Sequence, residues 1–427
     1  MHLRNMTLYS IFVRSHGGSF AAVEKDLPRI RALGVDMIWL LPIHPIGRAQ
    51  RKGALGSPYA IADYRKVNPE YGTLADFRRL AEAVHAQGMK LMIDVVYNHT
   101  SPDSWLSQHH PEWFYHKPDG SFGNRIGDWS DIIDLDYGQP GLWEYQIETL
   151  KMWAEIVDGF RCDVAPLVPL AFWLRAREEV EKVRPGCVWL AESVEPEFIR
   201  DNRSRGMISH SDAELYQAFD LCYDYDIYGD FLRYVKGETG LEDYAAALIR
   251  QESAYPADFV KLRFLENHDR PRMAFLFPGE RLQRNWLAWM FFQKGTALLY
   301  GGQEWACPHR PSLFDPDPVP MEESAVYADL IRRLAAMKKD GLFSHGIYRL
   351  QAQPNDLMLA SWEREGRKAL GVFSLKGKAG VLPVDLPDGA YRNILDDQAV
   401  LVESGLLASR GEPVILLIEG THGGNPC

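Results

Sequence analysis

Four short stretches of the sequence place charged side chains directly after an apolar run, and this pattern limits the possible folds more than any other feature. They are residues 94–99 (DVVYNH), 159–163 (GFRCD), 189–192 (WLAE) and 264–269 (FLENHD). Each apolar run is too short for a helix and predicts a buried strand. Buried strands that carry Asp, Glu, Arg and His to one rim are typical of a (β/α)8 barrel, whose active site lies at the carboxyl ends of its strands.

Strand-like and helix-like segments alternate over most of the chain. Thr73 predicts a helix N-cap, with Asp76 three residues later, and Pro140 predicts the start of another helix. Strands that alternate with helices form a parallel sheet, and eight such units close it into a barrel. The eight predicted strands are residues 7–13, 37–41, 91–96, 159–163, 188–191, 215–219, 262–265 and 296–300.

Two regions depart from this alternation. Residues 100–139 are loop-like and rich in aromatic residues, as in residues 128–131 (DWSD), and they follow the third strand. A long insertion at the catalytic rim predicts a small lid. From about residue 346 the chain has short strands separated by Pro, Gly and Asp, which predicts an antiparallel β-sandwich. The predicted domains are a barrel (residues 1–99 and 140–345), a lid (100–139) and a C-terminal β-sandwich (346–421).

Composition limits the partners and the location. The net charge of −11 argues against nucleic acid, because phosphate binding needs a basic surface. The content of charged residues, 25 %, is that of a soluble globular protein and argues against a membrane span. The N-terminus has no signal-peptide pattern, and the five dispersed cysteines lack CxxC spacing. These features predict a cytoplasmic protein with reduced thiols.

The chemistry of the four stretches points to a pair of carboxylates. Arg161 and Asp163 are two residues apart on a strand and therefore share a face. The arginine is expected to lower the pKa of Asp163 and keep it ionised, as a nucleophile requires. An apolar surrounding would raise the pKa of Glu192 and hold its proton for donation. Carboxyls on neighbouring strands, ~5 Å apart, could approach the ~5–5.5 Å of retaining glycosidases, against ~6.5–9.5 Å for inverting enzymes.

Each of these residues also has a structural interpretation. A single Asp or Glu at a strand end is more often a helix cap or a solvated residue. Arg161 could belong to a structural ion pair, and His99 and His268 could be packed histidines. Four such stretches in this order are poorly explained by chance. His268, Asp269 and His99 are therefore expected to hydrogen bond sugar hydroxyls next to the reacting carbon.

In this order, the four stretches resemble the signature regions of the alpha-amylase superfamily of retaining glycoside hydrolases. Residues 295–304 (GTALLYGGQE) resemble its eighth-strand segment, and residues 57–64 (SPYAIADY) its substrate-stacking loop. The resemblance covers the barrel, the insertion after the third strand and the tail. It implies the following roles: nucleophile Asp163, acid/base Glu192, transition-state stabiliser Asp269, supporting contacts from Asp94, His99, Arg161 and His268, and a stacking platform at Tyr59.

Departures from the family pattern concern the acceptor side and the metal. Amylases commonly carry Lys-His shortly after the nucleophile, whereas residues 164–169 here are VAPLVP. Asn98 matches a family calcium ligand, but the lid offers no evident set of the 6–8 oxygen partners that calcium takes. Calcium is therefore possible but not required, and no organic cofactor is expected. Residues 132–137 (IIDLDY) resemble the family's fifth motif only loosely, which leaves the linkage preference open.

The sequence predicts an alpha-glucan or malto-oligosaccharide hydrolase, acting on a small-molecule or oligosaccharide substrate. One alternative is a transglycosylase or glucoside isomerase of the glucanotransferase, trehalose or sucrose type, which shares the first half-reaction. A second alternative is a non-catalytic carbohydrate-binding barrel. Such a protein would be expected to have lost carboxylates, whereas Asp163, Glu192 and Asp269 are all present.

Overall fold

The short apolar runs form strands that are buried along nearly their whole length, as expected for parallel strands covered on both faces. The computed structural model describes residues 2–127, 129–321 and 325–419. Asp128, Cys427 and the last two residues of the predicted β-sandwich, 420 and 421, lie outside the described residues. The strands are β1 (Thr7–Ile11), β2 (Met37–Leu40), β3 (Lys90–Val95), β4 (His99–Thr100), β5 (Ile133–Asp134), β6 (Gly159–Cys162), β7 (Val188–Ala191), β8 (Leu221–Tyr223), β9 (Lys261–Arg263), β10 (Thr296–Tyr300), β11 (Ile347–Gln353), β12 (Leu357–Arg364), β13 (Arg367–Ser374), β14 (Gly380–Pro383), β15 (Gly389–Arg392), β16 (Ala399–Glu403), β17 (Leu406–Ser409) and β18 (Val414–Ile418).

The helices begin where the sequence supplies caps. Thr73 and Asp76 form the predicted capping box, in which each side chain accepts the other residue's backbone N–H, and Pro140 occupies the first turn of its helix. The helices are α1 (Phe20–Ala32), α2 (Leu74–Ala86), α3 (Trp105–His109), α4 (Pro140–Ala154), α5 (Leu170–Glu181), α6 (Pro196–Ser204), α7 (Asp212–Leu215), α8 (Tyr228–Lys236), α9 (Leu241–Ala254), α10 (Met273–Leu276), α11 (Glu280–Phe292), α12 (Ala328–Lys338) and α13 (Leu342–His345).

Eight parallel strands form a closed barrel in the order β1-β10-β9-β8-β7-β6-β3-β2, which confirms the predicted fold class. Two compact units divide the chain. One contains Leu8–Asp226 and His309–Met321, and the other contains Ile227–Pro308 together with the C-terminal region. Among the described residues, no helix has both the length and the apolar character needed to cross a membrane.

One predicted strand is wrong. Residues 215–219 do not form a strand, because Ser211 and Glu214 make a capping box that starts the short helix α7. The strand follows six residues later as β8, Leu221–Tyr223. Asp220 precedes it and accepts the backbone N–H of Trp189 at 2.8 Å, at the amino end of β7. The apolar run at residues 215–219 is therefore the last turn of a helix and its exit.

The C-terminal region forms two four-stranded antiparallel sheets, with orders β11-β12-β13-β18 and β14-β17-β16-β15. Leucines and valines of both sheets pack into one core, in which Leu370, Leu382 and Leu407 are buried. This arrangement confirms the antiparallel C-terminal domain and has the two-layer form of a β-sandwich. The predicted domain boundaries themselves remain predictions.

Candidate active site

Strand register aligns four charged residues of the Leu8–Asp226 unit at one rim of the sheet. Asp94 of β3 is paired with Arg161 of β6. Cys162 of β6 is paired with Ala191 of β7, so that Asp163 and Glu192 both follow the ends of neighbouring strands. The backbone N–H of Asp163 donates to Val95, and that of Glu192 donates to Cys162. The sheet itself therefore holds these side chains side by side.

Arg161 is fully buried and contacts three carboxylates. Its Nη1 lies 2.8 Å from Asp94 Oδ1 and 2.9 Å from Asp163 Oδ1, and its Nη2 lies 2.8 Å from Glu192 Oε1. Burial opposes the charge, but the nearby carboxylates outweigh it and hold the pKa of Arg161 well above its usual range. One permanent cation therefore brings together the predicted nucleophile, the predicted acid/base and a supporting carboxylate.

The surroundings of Glu192 are more polar than the sequence suggests. Besides its contact with Arg161, Glu192 accepts the backbone N–H of Val164 at Oε2, at 2.9 Å. Both contacts favour the carboxylate form, whereas an apolar pocket had been expected. Val164 has the left-handed backbone angles φ 35° and ψ 45°. For a β-branched residue this conformation is a genuine outlier, which costs about 1–3 kcal/mol.

Aromatic side chains surround the Arg161 guanidinium. Half-buried Tyr59 donates its hydroxyl to Asp94 Oδ2 at 3.1 Å, and its ring centre lies 5.7 Å from the guanidinium carbon. Trp39 and Tyr223 face the same group at 5.3 and 5.5 Å, and Arg161 Nε donates to the Tyr223 hydroxyl at 3.3 Å. Neither Trp39 nor Tyr223 was predicted from the sequence. Tyr223 is the last residue of β8, so a correct prediction of this strand would have identified Tyr223 as a residue at the rim.

His99 lies where the lid begins. It belongs to β4, which pairs with β5 through His99 and Asp134, and its Nε2 is 3.9 Å from Asp163 Oδ2. The side-chain amide of Asn98 donates to Nδ1 at 3.1 Å, an assignment that places the proton on Nε2. Burial lowers the pKa of His99 to about 4, although Asp134 acts to raise it. His99 is thus neutral near pH 7, and its Nε2 faces the predicted nucleophile at a distance too long for a direct hydrogen bond.

The low pKa of His99 predicts a pH dependence of stability. The folded protein holds the pKa of His99 near 4, whereas an unperturbed histidine has a pKa of 6.5. Between pH 4 and 6.5 the unfolded chain therefore binds more protons than the folded chain. The free energy of unfolding should therefore fall as the pH decreases from 6.5 to 4, with about 3 kcal/mol attributable to this residue. Denaturant unfolding of His99→Gln at both pH values should show a correspondingly weaker pH dependence.

A second buried histidine gives an internal comparison for this experiment. Burial also lowers the pKa of His44 to about 4, and its Nδ1 contacts the carbonyl of Lys66 at 3.0 Å. His44→Gln should weaken the pH dependence in the same direction, and the double variant should weaken it further. A pH dependence that is the same in the parent and in His99→Gln would contradict the assignment.

His268 and Asp269 follow β9 in the other compact unit. His268 is buried, its Nε2 lies 3.0 Å from Asp269 Oδ2, and the Asp269 side chain is 44 % exposed. The side-chain oxygen of Asn267 accepts the backbone N–H groups of Asp269 and Arg270, at 2.9 and 3.0 Å. This turn presents Asp269 to solvent at the carboxyl end of its strand, the place that the sequence predicted for it.

One buried ion pair joins the two ends of this turn. Glu266 and Arg272 are fully buried, 2.5 Å apart, and Arg272 also donates to the carbonyl of Gly301 at 2.9 Å. Arg272→Met would leave the Glu266 carboxylate buried without its cation, and should lower the free energy of unfolding by about 3–5 kcal/mol. Chemical denaturation measures this loss. The exposed pair of Arg281 and Glu412 is the matched control, and Arg281→Met should change stability little.

The residues around Asn98 do not fit the calcium site that the family suggests. Asp134 Oδ2 accepts the backbone N–H of Arg125 at 2.7 Å and lies 3.7 Å from its guanidinium. Asp131 is paired with Lys52 at 2.8 Å. Oδ1 of Asp134 is a buried oxygen without a hydrogen-bond partner, but one open oxygen is far from the 6–8 ligands of calcium. Within the described residues, no three His, Cys, Asp or Glu side chains form a metal-binding group.

Two protein families match the sequence. Residues 11–129 match the alpha amylase catalytic domain, and residues 349–416 match the bacterial alpha amylase C-terminal domain. The first match includes Tyr59, Asp94, Asn98 and His99. The second lies within the two antiparallel sheets.

Solved structures resemble the chain over almost its whole length. An alpha-amylase from Lactobacillus plantarum is 48 % identical, with a TM-score of 0.95, covering 97 % of this chain and 99 % of that one. A noncanonic maltogenic alpha-amylase from Thermotoga neapolitana is 34 % identical, with a TM-score of 0.87, covering 98 % of this chain and 100 % of that one.

A curated relative matches over a shorter part. An alpha-1,4-glucan:maltose-1-phosphate maltosyltransferase from Rhodospirillum rubrum is 32 % identical over 271 residues, which are 58 % of this chain and 36 % of the transferase. The chain spans less than half the length of the curated relatives that it matches first.

Proposed function

Because this chain belongs to the alpha-amylase family, we propose that it hydrolyses alpha-glucosidic bonds of malto-oligosaccharides or related alpha-glucans with retention of anomeric configuration. The observation that carries the proposal is the arrangement of Asp163 and Glu192, whose carboxylates contact the two amino groups of one buried guanidinium. Two carboxylates that follow neighbouring strands and contact one guanidinium suit a nucleophile and an acid/base acting on one sugar.

The first proposed step forms a covalent intermediate. Glu192 gives its proton to the glycosidic oxygen as the bond between that oxygen and the anomeric carbon breaks. An Asp163 oxygen attacks the anomeric carbon from the opposite face and forms a glycosyl ester. The proton leaves with the departing sugar, and Glu192 remains as a carboxylate. The contacts from Arg161 and from the backbone N–H of Val164 suit that charged form of Glu192.

The second proposed step returns the enzyme to its starting state. Glu192 takes a proton from a water molecule, whose oxygen attacks the anomeric carbon and breaks the ester to Asp163. Two displacements restore the original anomeric configuration. We assign Asp269 and His268 to transition-state contacts with the sugar, and Asp94, His99 and Tyr59 to binding of the same ring. The neutral His99 and the Tyr59 hydroxyl bonded to Asp94 support these assignments.

The proposed activity can be tested with a panel of substrates. Maltose, isomaltose, sucrose, trehalose, starch, pullulan and cyclodextrins should be incubated with the protein, and the products should be identified. We expect cleavage of alpha-1,4-linked glucans, with the alpha-anomer as the first product observed by proton NMR. Initial release of the beta-anomer would overturn the retaining mechanism. Lack of cleavage across the whole panel would overturn the assigned substrate class.

Transfer to a sugar acceptor is the second candidate function. It is favoured by the similarity to a maltosyltransferase and by residues 164–169, which lack the Lys-His common in amylases. Transfer shares the covalent intermediate and differs only in the acceptor. Incubation with maltoheptaose in water distinguishes the two functions: early products longer than the substrate, or isomers of it, would indicate a transglycosylase or isomerase. A non-catalytic carbohydrate-binding barrel would show no turnover.

We propose that the reaction needs neither an organic cofactor nor calcium. Lys52 and Arg125 already neutralise the buried carboxylates of the lid, which supports a fold that is stable without a metal. Thermal unfolding should be the same with a chelator and with added calcium. A large calcium-dependent increase in the melting temperature would contradict this proposal. The cytoplasmic location stays a prediction, supported by the four described cysteines, which are buried and form no disulfide with one another.

A further inference from the structure

Val164 is the one β-branched residue with a left-handed backbone among the described residues. The remaining non-glycine positions with positive φ are occupied by Gln, Ala, Asn, Asp, Glu and Ser. Valine resists this conformation more strongly than any of them, because its Cβ carries two methyl groups. Val164 directly follows the predicted nucleophile Asp163. Strained backbone of this kind clusters at functional sites and persists only where the surrounding structure holds it.

The surrounding structure fixes the turn at Val164. The carbonyl of Val164 accepts the backbone N–H of Leu167 at 3.0 Å, which starts the short 3-10 helix Ala165–Leu167. The Trp173 indole donates to the carbonyl of Ala165 at 3.1 Å, and the backbone N–H of His210 donates to that of Pro166 at 3.0 Å. Helix α5 and the chain before α7 therefore anchor both residues that follow Val164, and the peptide between Asp163 and Val164 is held in place.

The consequence of the turn is the direction of one N–H group. The backbone N–H of Val164 points at Oε2 of Glu192, 2.9 Å away, while Arg161 Nη2 lies 2.8 Å from Oε1. Oε2 of Glu192 thus accepts a hydrogen bond from the turn, and Oε1 is held in an ion pair with the guanidinium of the strand residue Arg161, whose Nη2 is not aligned for a hydrogen bond. A carboxylate held at one oxygen can rotate about its terminal torsion, which is soft, whereas an ion pair at one oxygen and a hydrogen bond at the other fix its plane.

We propose that Val164 is a positioning residue for the acid/base step, and that its left-handed backbone exists to aim this N–H at Glu192. The inference rests on the proposed function, because it assumes that Glu192 protonates the leaving oxygen. It predicts a specific defect when the N–H is lost. Cleavage of substrates whose leaving group needs a proton should suffer, and cleavage of substrates whose leaving group departs unaided should not.

The decisive experiment removes the N–H and keeps the side chain. The α-hydroxy acid analogue of valine, incorporated at position 164, replaces the amide with an ester that has no hydrogen to donate. On a maltoside with a sugar leaving group, kcat/KM should fall about tenfold, as expected for one hydrogen bond to a charged group. On alpha-maltosyl fluoride it should change less than about twofold, because fluoride leaves with little help from an acid. The ratio kcat/KM is used because it reports the first bond cleavage only.

The same ester at Val168 is the matched control. Val168 lies four residues further on, and its N–H donates to Ala165 at 3.2 Å and not to Glu192. This ester should leave the ratio between the kcat/KM values for the two substrates unchanged.

Val164→Gly offers a simpler variant. Glycine adopts the left-handed turn without strain, so the melting temperature should hold or rise while the same selective defect appears in weaker form.

Three results would overturn the inference: equal losses on both substrates with the ester at 164, no loss on either, or the same selective loss with the ester at 168. Failure of the proposed function would look different, because the unmodified protein would then cleave neither substrate. If the protein is a transferase, the first half-reaction is the same and the test keeps its meaning.

Discussion

Asp163→Asn should reduce kcat/KM on alpha-1,4-glucans by a factor of roughly 10^4 or more, with little change in fold. The amide cannot form the glycosyl ester, and it replaces the carboxylate that lies 2.9 Å from Arg161 Nη1. Arg161 keeps its contacts with Asp94 and Glu192, so the barrel should still fold. Steady-state kinetics on maltoheptaose and circular dichroism measure the two effects.

Asp220→Asn is the matched control for this substitution. Asp220 accepts the N–H of Trp189 and is paired with Arg177, at the amino ends of the strands and away from the catalytic rim. Asp220→Asn should lower the melting temperature and leave kcat/KM within a few-fold of the parent value.

Asp163→Gly should recover cleavage of alpha-maltosyl fluoride when azide is added, with a beta-configured product, because a single displacement inverts the anomeric carbon. Unchanged turnover in Asp163→Asn would end its assignment as nucleophile.

Arg161→Met should cause the largest loss of stability of any single substitution considered. It would leave Asp94, Asp163 and Glu192 at 7 % exposure or less without their shared cation. Breaking a buried ion pair from one side costs about 3–5 kcal/mol, and three carboxylates depend on this residue. We expect an unfolding transition lowered by at least that amount, together with loss of activity. Chemical denaturation monitored by tryptophan fluorescence measures the first effect.

Arg161→Lys separates charge from geometry. An ammonium retains the cation but cannot contact three carboxylates through a planar fork, so part of the stability should return and little of the activity. Arg175→Met, at an exposed pair with Glu144, should affect neither. Full activity in Arg161→Lys would show that the charge alone matters, and would remove the argument for a shared guanidinium.

The sequence was sufficient to predict the barrel and the residues at its rim, because buried strands leave a short apolar signature and the polar residue after each strand is visible. It failed at residues 215–219, which proved to be the end of a short helix and the turn after it, and this error concealed Tyr223. The polar partners of Glu192 could not be foreseen. One of them is a backbone N–H, which every residue except proline has, and its direction depends on a φ angle that valine usually avoids.

The lid illustrates a different limit of sequence analysis. Asn98 resembled a metal ligand because its neighbours in the chain match the family pattern. The positions of Lys52 and Arg125 argue against a metal at this place, since each is paired with a lid carboxylate. Lys52 is 79 residues from Asp131 along the chain. Such a pairing becomes visible only when the fold brings the two together.

A guanidinium shared by three acids also constrains how this catalytic centre can change over generations. Substituting any one of the three alters the charge balance felt by the other two, so the effects of single mutations on this cluster should be strongly non-additive. A change of specificity that requires substitution of Asp94, Asp163 or Glu192 should therefore lower stability or activity at the first step. Substitutions in residues 165–169 leave Arg161 and its three carboxylates in place, so that specificity can change there step by step.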